Sequence, residues 1–149
     1  MLDLPMSRYF MKKPKESEAS SVKDPKTIAD HVIQRYIANQ KLIDVIAKGY
    51  GIRTLFVWQP VPVFEYDQTY NIFGTFNYSR GLPYLKPGYE IMSREYESGA
   101  FGSNFLWLAN VQRDLKEPLY IDGVHYSAKM SNLIASRIAD RIISQGLLK

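Results

Sequence analysis

The sequence predicts an α/β domain built around a parallel sheet. An amphipathic helical pattern from Pro25 to Tyr50 leads directly into a nearly continuous apolar run, Ile52–Gln59, and a second amphipathic helix closes the chain. Strands that are apolar on both faces are typical of parallel sheets, because helices cover both sides of such sheets. We therefore expect helices that flank a buried parallel sheet.

The composition is that of a folded globular domain. The chain has 149 residues, of which 46% are hydrophobic and 23% are charged, and this length suits about one domain. No apolar run approaches the roughly 20 residues of a membrane span. Met1–Pro5 has neither the basic nor the apolar region of a signal peptide. We expect no membrane span and no export signal in this chain, and the cellular compartment stays open.

The residue types argue against a metal centre and against nucleic acid as a partner. The chain has no cysteine and two histidines, so a zinc or iron site would depend largely on carboxylates. The net charge of +4 comes in part from lysines near the N-terminus, which alternate there with acidic residues. No arginine-rich stripe accompanies them, and a solvated linker explains this pattern better than a nucleic-acid footprint.

The chain divides into an N-terminal tail and linker, residues 1–26, and a folded portion, residues 27–149. Residues 1–11 are moderately apolar and able to dock onto a surface. Residues 12–26 are rich in Lys, Glu, Ser and Pro, a composition typical of a flexible connection.

The first helix and the strand after it are predicted both by the residues at their ends and by the apolar pattern within them. Asp24 is a suitable cap, Pro25 suits the first helical position, and a glycine on either side of Tyr50 indicates the stop. The run Ile52–Gln59 is rich in β-branched and aromatic residues, which favours a buried strand. Pro60 ends it, because proline lacks the N–H that a further ladder bond requires.

An irregular, aromatic-rich insertion follows, and the regular pattern then returns. Residues 61–88 have no sustained period; they either pack through large rings or form a lid over an active site. Beyond them the pattern predicts a short helix over Tyr89–Ser98 and a short buried strand or apolar turn over Phe105–Ala109. A last helix is predicted between a Ser127 cap and a stop at Gly146.

A carboxylate and an imidazole lie three residues apart just before this last helix, at Asp122 and His125. A carboxylate that accepts the Nδ1 proton fixes the tautomer of the ring. It also stabilises the imidazolium that forms when Nε2 takes a proton from a nucleophile. Together these two roles are those of the base and the orienting acid of a serine hydrolase triad, although an Asp-x-x-His spacing also arises often by chance. The alternative is a loop pair that makes only local turn hydrogen bonds.

The surroundings of this pair resemble the last motif block of the SGNH (GDSL-type) hydrolases and esterases. The stretches that carry the resemblance are Tyr120–Ser127, Asn132–Ala135 and Ile138–Ala139, together with Tyr36–Pro60 upstream. The upstream stretch is similar to the helix and buried strand that precede the catalytic block in bacterial members. The resemblance covers about residues 27–60 and 105–146, whereas residues 61–104 match loosely, as a variable insertion.

The resemblance implies part of a three-layer α/β/α parallel-sheet domain of flavodoxin-like topology. It implies cleavage of acyl or acetyl esters by a Ser-His-Asp mechanism, with His125 as the general base and Asp122 as its orienting acid. The substrate class is an ester of a small molecule, a carbohydrate or a lipid. Neither a metal nor an organic cofactor is implied.

The nucleophile block of that family is not present. Its members carry a Gly-Asp-Ser block near the N-terminus and oxyanion donors in later Gly and Asn blocks, whereas this sequence has neither a Gly-Asp nor an Asp-Ser dipeptide. The chain therefore resembles the C-terminal half of such an enzyme. A sheet with few strands leaves an edge unpaired, so we expect self-association, or completion by a missing N-terminal half.

Four further polar side chains are candidates for a substrate-binding or catalytic role. Gln59 ends a predicted parallel strand, at the edge where α/β sheets bind ligands; it is the candidate substrate-binding residue, with a simple loop hydrogen bond as an equal alternative. Ser103 lies between a glycine and an asparagine, which suits an exposed nucleophile, although a turn explains this triplet better. Ser127 is best explained as a cap, and His31 as a solvated helix residue.

Three functional hypotheses remain. The first is an ester hydrolase represented by its base and orienting acid. The second is a non-catalytic binding module or inactive remnant on the same scaffold, which a buried His125 would favour. The third is an interaction protein whose basic tail binds an acidic partner, which strong salt dependence of binding would reveal.

Overall fold

The computed structural model describes residues 24–74 and 82–147. In chain order these residues form helix α1 (Pro25–Gly49), strand β1 (Phe56–Trp58), a 3₁₀ helix (Gln68–Tyr70), helix α2 (Leu85–Glu97), strand β2 (Phe105–Trp107) and helix α3 (Ala128–Ser144). Most of the predicted tail and linker, and part of the aromatic-rich insertion, lie outside the described residues.

The two strands pair in parallel, with Phe56 opposite Phe105 and Trp58 opposite Trp107. The Phe56 N–H donates to the Asn104 carbonyl over 2.8 Å, and the Leu108 N–H donates to the Trp58 carbonyl over 3.0 Å. The predicted parallel pairing is therefore confirmed. Each strand is shorter than its apolar run, because only three residues of each run pair in the ladder.

Helices cover both faces of this sheet. Since side chains alternate along a strand, the four aromatic residues of the two strands share one face. They pack there against α1 and α2, in a cluster that includes Ala29, Ile33, Ile91, Met92 and Phe105. The opposite face carries Val57 and Leu106, which pack against Met130 and Ile134 of α3. The mixed α/β class predicted from the sequence is confirmed at this level.

Helices α1 and α3 begin and end where the capping residues and the terminal glycine in the sequence predict. The Asp24 carboxylate accepts the Thr27 N–H over 3.2 Å, and the Ser127 hydroxyl accepts the Met130 N–H over 3.3 Å. These bonds confirm both predicted caps, because a side-chain oxygen at this position replaces a missing helical acceptor. Gly146 closes α3 in the left-handed region, at φ 57, a conformation that glycine adopts without steric cost.

The start of α2 differs from the prediction. The helix begins at Leu85 and ends at Glu97, whereas the pattern placed it over Tyr89–Ser98. Pro87 lies in the first turn, where no backbone N–H has a helical acceptor, so it does not interrupt the helix. The proline and the glycine after it masked the helical start in the sequence.

Trp58 is the most closely surrounded ring of β1. Tyr36 of α1 meets it edge-on at 5.0 Å between ring centroids, and Tyr89 of α2 lies 5.3 Å from it. The Trp58 Nε1 is buried and has no hydrogen-bond partner in the described part of the chain. Aromatic contact and burial thus outweigh the cost of one unpaired donor at this position.

The C-terminal half of α1 exposes large apolar side chains. Leu42 is 58% exposed, Val45 is 69% exposed and Tyr50 is 79% exposed. Within residues 24–74 and 82–147 the sheet has two strands, so each strand also has a free edge. Contiguous apolar surface and free strand edges are both features of contact surfaces between polypeptides.

No helix in the described ranges combines the length and the apolarity that crossing a bilayer requires.

We expect the purified chain to associate with itself through this surface. Sedimentation equilibrium should give a mass above 17.2 kDa that rises with protein concentration. Val45→Lys should lower that mass, because a charge opposes burial of the surface. Gln34→Lys adds the same charge at an exposed polar position of α1 and should leave it unchanged. A cooperative melt of a monomer at every concentration would contradict this expectation.

Candidate active site

A short hairpin presents Asp122 and His125 immediately before α3. Tyr120 and Tyr126 form an antiparallel bridge. Around them the Ile121 N–H donates to the His125 carbonyl over 2.9 Å, and the Ser127 N–H donates to the Leu119 carbonyl over 2.8 Å. The backbone thus fixes both arms of the hairpin, and the two predicted site residues lie on its tip.

The Asp122 carboxylate uses its two oxygens differently. Its Oδ1 accepts the backbone N–H groups of Val124 and His125, over 2.8 and 2.7 Å. Its Oδ2 lies 2.6 Å from the His125 Nδ1. One oxygen is therefore held by the turn, while the other is directed at the ring.

The electrostatics of the pair determine which ring nitrogen carries the proton. The hydrogen bonds from Val124 and His125 to the Asp122 carboxylate lower its pKa to about 2. An ionised carboxylate only accepts hydrogen bonds, so the His125 Nδ1 must be the donor of the 2.6 Å bond. In the neutral ring Nε2 is then the free acceptor, which is the tautomer of a general base.

The imidazole is open to solvent. The His125 side chain is 71% exposed and that of Asp122 is 49% exposed. A hydrolase requires a bonded pair with an accessible histidine, whereas a buried histidine favours the binding module. Both conditions are met in this hairpin, and the role of the two residues remains a prediction.

The pair lies near the carboxyl end of β1, where open α/β sheets place their ligands. The Tyr126 hydroxyl, next to His125 in sequence, donates to the Pro60 carbonyl over 2.7 Å. Gln59 precedes that proline and has an exposed side chain, while its carbonyl accepts the Tyr89 hydroxyl over 2.6 Å. Gln59 thus shares this region with the pair, and its substrate-binding role stays a prediction.

Ser103 lies at the opposite end of α3 from His125. Its carbonyl accepts the side chains of Arg141, over 3.3 Å, and Gln145, over 2.6 Å. Both belong to the last turn of α3 or follow it, whereas His125 precedes the first. At 1.5 Å per residue this helix is about 25 Å long, so Ser103 does not reach the imidazole. The turn interpretation of Ser103 is the one that the contacts support.

An open cavity of about 700 Å³ also lies away from the pair. It is located at the amino end of the strands. There the Asp44 carboxylate accepts the Thr54 hydroxyl and the Asn104 amide, each over 2.8 Å. The lining includes Ser103, which places the cavity at the far end of α3 from His125. Its polar groups bond to one another and serve to join α1 to the strand starts.

Gln112 is a buried residue near this site that no sequence pattern predicts. Its side chain is 0% exposed, and its amide connects the hairpin to the segment after β1. Gln112 stands in a polar stretch next to Arg113 and Asp114, so no hydrophobic pattern marks it as buried. The two tyrosines that flank the Asp-x-x-His spacing are the signal in the sequence that could have indicated anchoring of this turn.

Among the described residues no group of three or more His, Cys, Asp or Glu side chains is arranged to hold a metal ion.

Comparison with known proteins gives no match for this chain: no family model, no curated protein and no solved structure resembles it closely enough to be assigned. The geometry of the hairpin is therefore the basis on which a function is proposed.

The Asp122 bond predicts a fixed tautomer at His125. In ¹⁵N–¹H NMR spectra, the neutral His125 ring should show its proton on Nδ1. Asp122→Asn should shift the ring towards the Nε2–H form, because the amide no longer demands a donor at Nδ1. His31, an exposed histidine on α1, is the reference within the same molecule. An unchanged His125 spectrum in Asp122→Asn would contradict the assignment.

The lowered pKa of Asp122 predicts acid sensitivity. Its pKa is about 2 in the folded chain and about 3.9 in an unfolded one. The carboxylate therefore stabilises the fold above about pH 4, and this contribution is lost as the pH falls towards 2. In urea unfolding, the free energy of unfolding of Asp122→Asn should fall less over this interval than that of the wild type. Asp140→Asn removes a carboxylate from α3 as a control. Equal slopes for both variants would refute the prediction.

Proposed function

We propose that this chain supplies the general base and its orienting acid to an SGNH-type ester hydrolase. The serine nucleophile and the oxyanion donors come, in this proposal, from another polypeptide segment. The observation that carries it is the 2.6 Å contact between the Asp122 Oδ2 and the Nδ1 of an exposed His125, located near the carboxyl end of a parallel strand. Resemblance of the surrounding residues to the last motif block of that family supports the same assignment.

The chemistry assigns two proton transfers to His125 in each half of the reaction, one as general base and one as general acid. Its Nε2 takes the proton of the serine hydroxyl as the serine oxygen attacks the ester carbonyl carbon. The imidazolium, stabilised by the Asp122 carboxylate, then donates that proton to the leaving alcohol, and an acyl-serine remains. In the second half His125 takes a proton from water as the water oxygen attacks the acyl carbon. The imidazolium then returns that proton to the serine oxygen as its bond to the acyl group breaks, which releases the acid and regenerates the serine hydroxyl.

The proposal extends the mixed α/β class to part of a three-layer α/β/α domain of flavodoxin-like topology. Support comes from α1 and α2 on one face of the sheet and α3 on the other. The substrate class is an acyl or acetyl ester. The exposed amide of Gln59 is our candidate for a polar contact to it, because Gln59 directly follows β1.

A non-catalytic module on the same scaffold is the second candidate. It is favoured by the sequence, which has no Gly-Asp-Ser block. In the described part of the chain no serine hydroxyl is bonded to the His125 ring. A module of this kind would retain the fold and the hairpin without turnover.

Labelling with a fluorophosphonate serine probe separates these candidates. The chain alone should not be labelled. Produced together with the N-terminal, Gly-Asp-Ser-bearing half of a bacterial SGNH hydrolase and purified as a complex, it should allow labelling of the serine in that half. His125→Ala should slow labelling by about 10⁴-fold, the scale of losing a triad member. His31→Ala removes the other histidine and should leave the rate unchanged.

Two results would contradict the proposal. Labelling of a serine in the isolated chain, mapped by peptide analysis and lost in His125→Ala, would show that the nucleophile is already present. A purified complex that no probe labels would favour the non-catalytic module.

A further inference from the structure

The hairpin that carries the pair is anchored by the two tyrosines of its bridge. Residues opposite each other in an antiparallel pair project to the same face, and the rings of Tyr120 and Tyr126 lie 5.6 Å apart. Their hydroxyls reach different acceptors: that of Tyr126 donates to the Pro60 carbonyl over 2.7 Å, and that of Tyr120 donates to the Gln112 Oε1 over 2.5 Å.

Both connections end on the same short segment. The Gln112 Nε2 donates to the carbonyls of Val61, over 2.8 Å, and Phe64, over 2.6 Å. Residues 60–64 come directly after β1, so Tyr126 ties the hairpin to this segment directly, and Tyr120 ties it there through Gln112. Burial raises the pKa of Tyr126 to about 12, and its hydroxyl therefore stays a donor at neutral pH.

The attachment of the hairpin determines where the Asp122–His125 pair lies relative to the sheet. The geometry within the pair does not depend on that attachment. The Asp122 carboxylate accepts hydrogen bonds from Val124 and His125, within the turn itself. The His125 ring is 71% exposed, so little packing holds it relative to the sheet. What fixes the distance between the imidazole and the end of β1 is the attachment of the hairpin arms.

We infer that Tyr126, together with Tyr120 acting through Gln112, is a positioning residue for His125. These side chains attach the hairpin that carries the base of the proposed hydrolase to the segment after β1. The inference rests on the proposed function for its catalytic meaning, while the anchoring itself is testable without any activity.

The chain contains a matched control for this anchoring. The Tyr89 hydroxyl, from α2, donates to the Gln59 carbonyl over 2.6 Å. This bond has the same chemistry as that of Tyr126 and reaches the neighbouring carbonyl, but α2 is not part of the hairpin. Tyr89→Phe and Tyr126→Phe each delete one hydroxyl at the same strand end, and only the second removes a bond of the hairpin.

Amide hydrogen exchange of the full chain, read by NMR, tests the inference. In Tyr126→Phe the amides of Ile121 and Ser127 should exchange about fivefold faster than in the wild type, the effect of one lost neutral hydrogen bond on local opening. Tyr89→Phe should leave both rates unchanged. In both variants the proton of the neutral His125 ring should stay on Nδ1, since the Asp122 bond lies within the turn.

Unchanged exchange at Ile121 and Ser127 in Tyr126→Phe would overturn the inference. Equal acceleration in Tyr126→Phe and Tyr89→Phe would also overturn it, because it would reflect general loss of stability. If Tyr126→Phe does not fold, Tyr120→Phe replaces it. This substitution breaks the Gln112 connection alone, and the same two amides should respond.

The catalytic meaning is tested in the labelled complex described above. Tyr126→Phe should slow fluorophosphonate labelling about tenfold, within the range lost when a positioned general base is misplaced, and Tyr89→Phe should not. Faster hairpin exchange with unchanged labelling would refute a positioning role. Absence of labelling in every protein, with the exchange result as expected, would count against the proposed function and leave the anchoring in place.

Discussion

The parallel pairing of β1 with β2 is the constraint on which the other contacts depend. Three residue pairs form this ladder, and the alternation of side chains along it divides the core into two. The aromatic face receives α1 and α2, and the aliphatic face receives α3. The hairpin lies between β2 and α3 in sequence, and it is attached to the segment that follows β1. Its location therefore follows from the register of these three residue pairs.

Polar side chains join the strand ends to their neighbours, as apolar side chains do at the centre of the sheet. At the amino end, Asp44 connects Thr54 and Asn104; at the carboxyl end, Gln112 connects Tyr120 to the segment after β1. Short strands supply few ladder bonds, and such side-chain bridges are directional in a way that apolar contact is not. They fix the ends of the sheet, and one end carries the candidate site.

Local signals predicted local structure well. The caps at Asp24 and Ser127 and the contact between Asp122 and His125 each involve residues three apart, so nearest neighbours in sequence contain the information. Burial of Gln112 depends instead on two carbonyl groups about fifty residues away, and no pattern in its own stretch encodes them. The start of α2 was missed for a different reason: Pro87 and Gly88 signal a break in general, but are tolerated in a first turn.

Because β1 and β2 are far apart in sequence, they become available for pairing at different times during synthesis. During synthesis α1 and β1 emerge well before Phe105, the first residue that pairs with β1, and such non-local pairing is slow because a long intervening loop must close first. The nascent chain therefore carries an uncovered apolar face on α1 until α2 and β2 have been synthesised. The hairpin with Asp122 and His125 is synthesised later still, so the base can attach to the segment after β1 only once residues 120–126 have emerged.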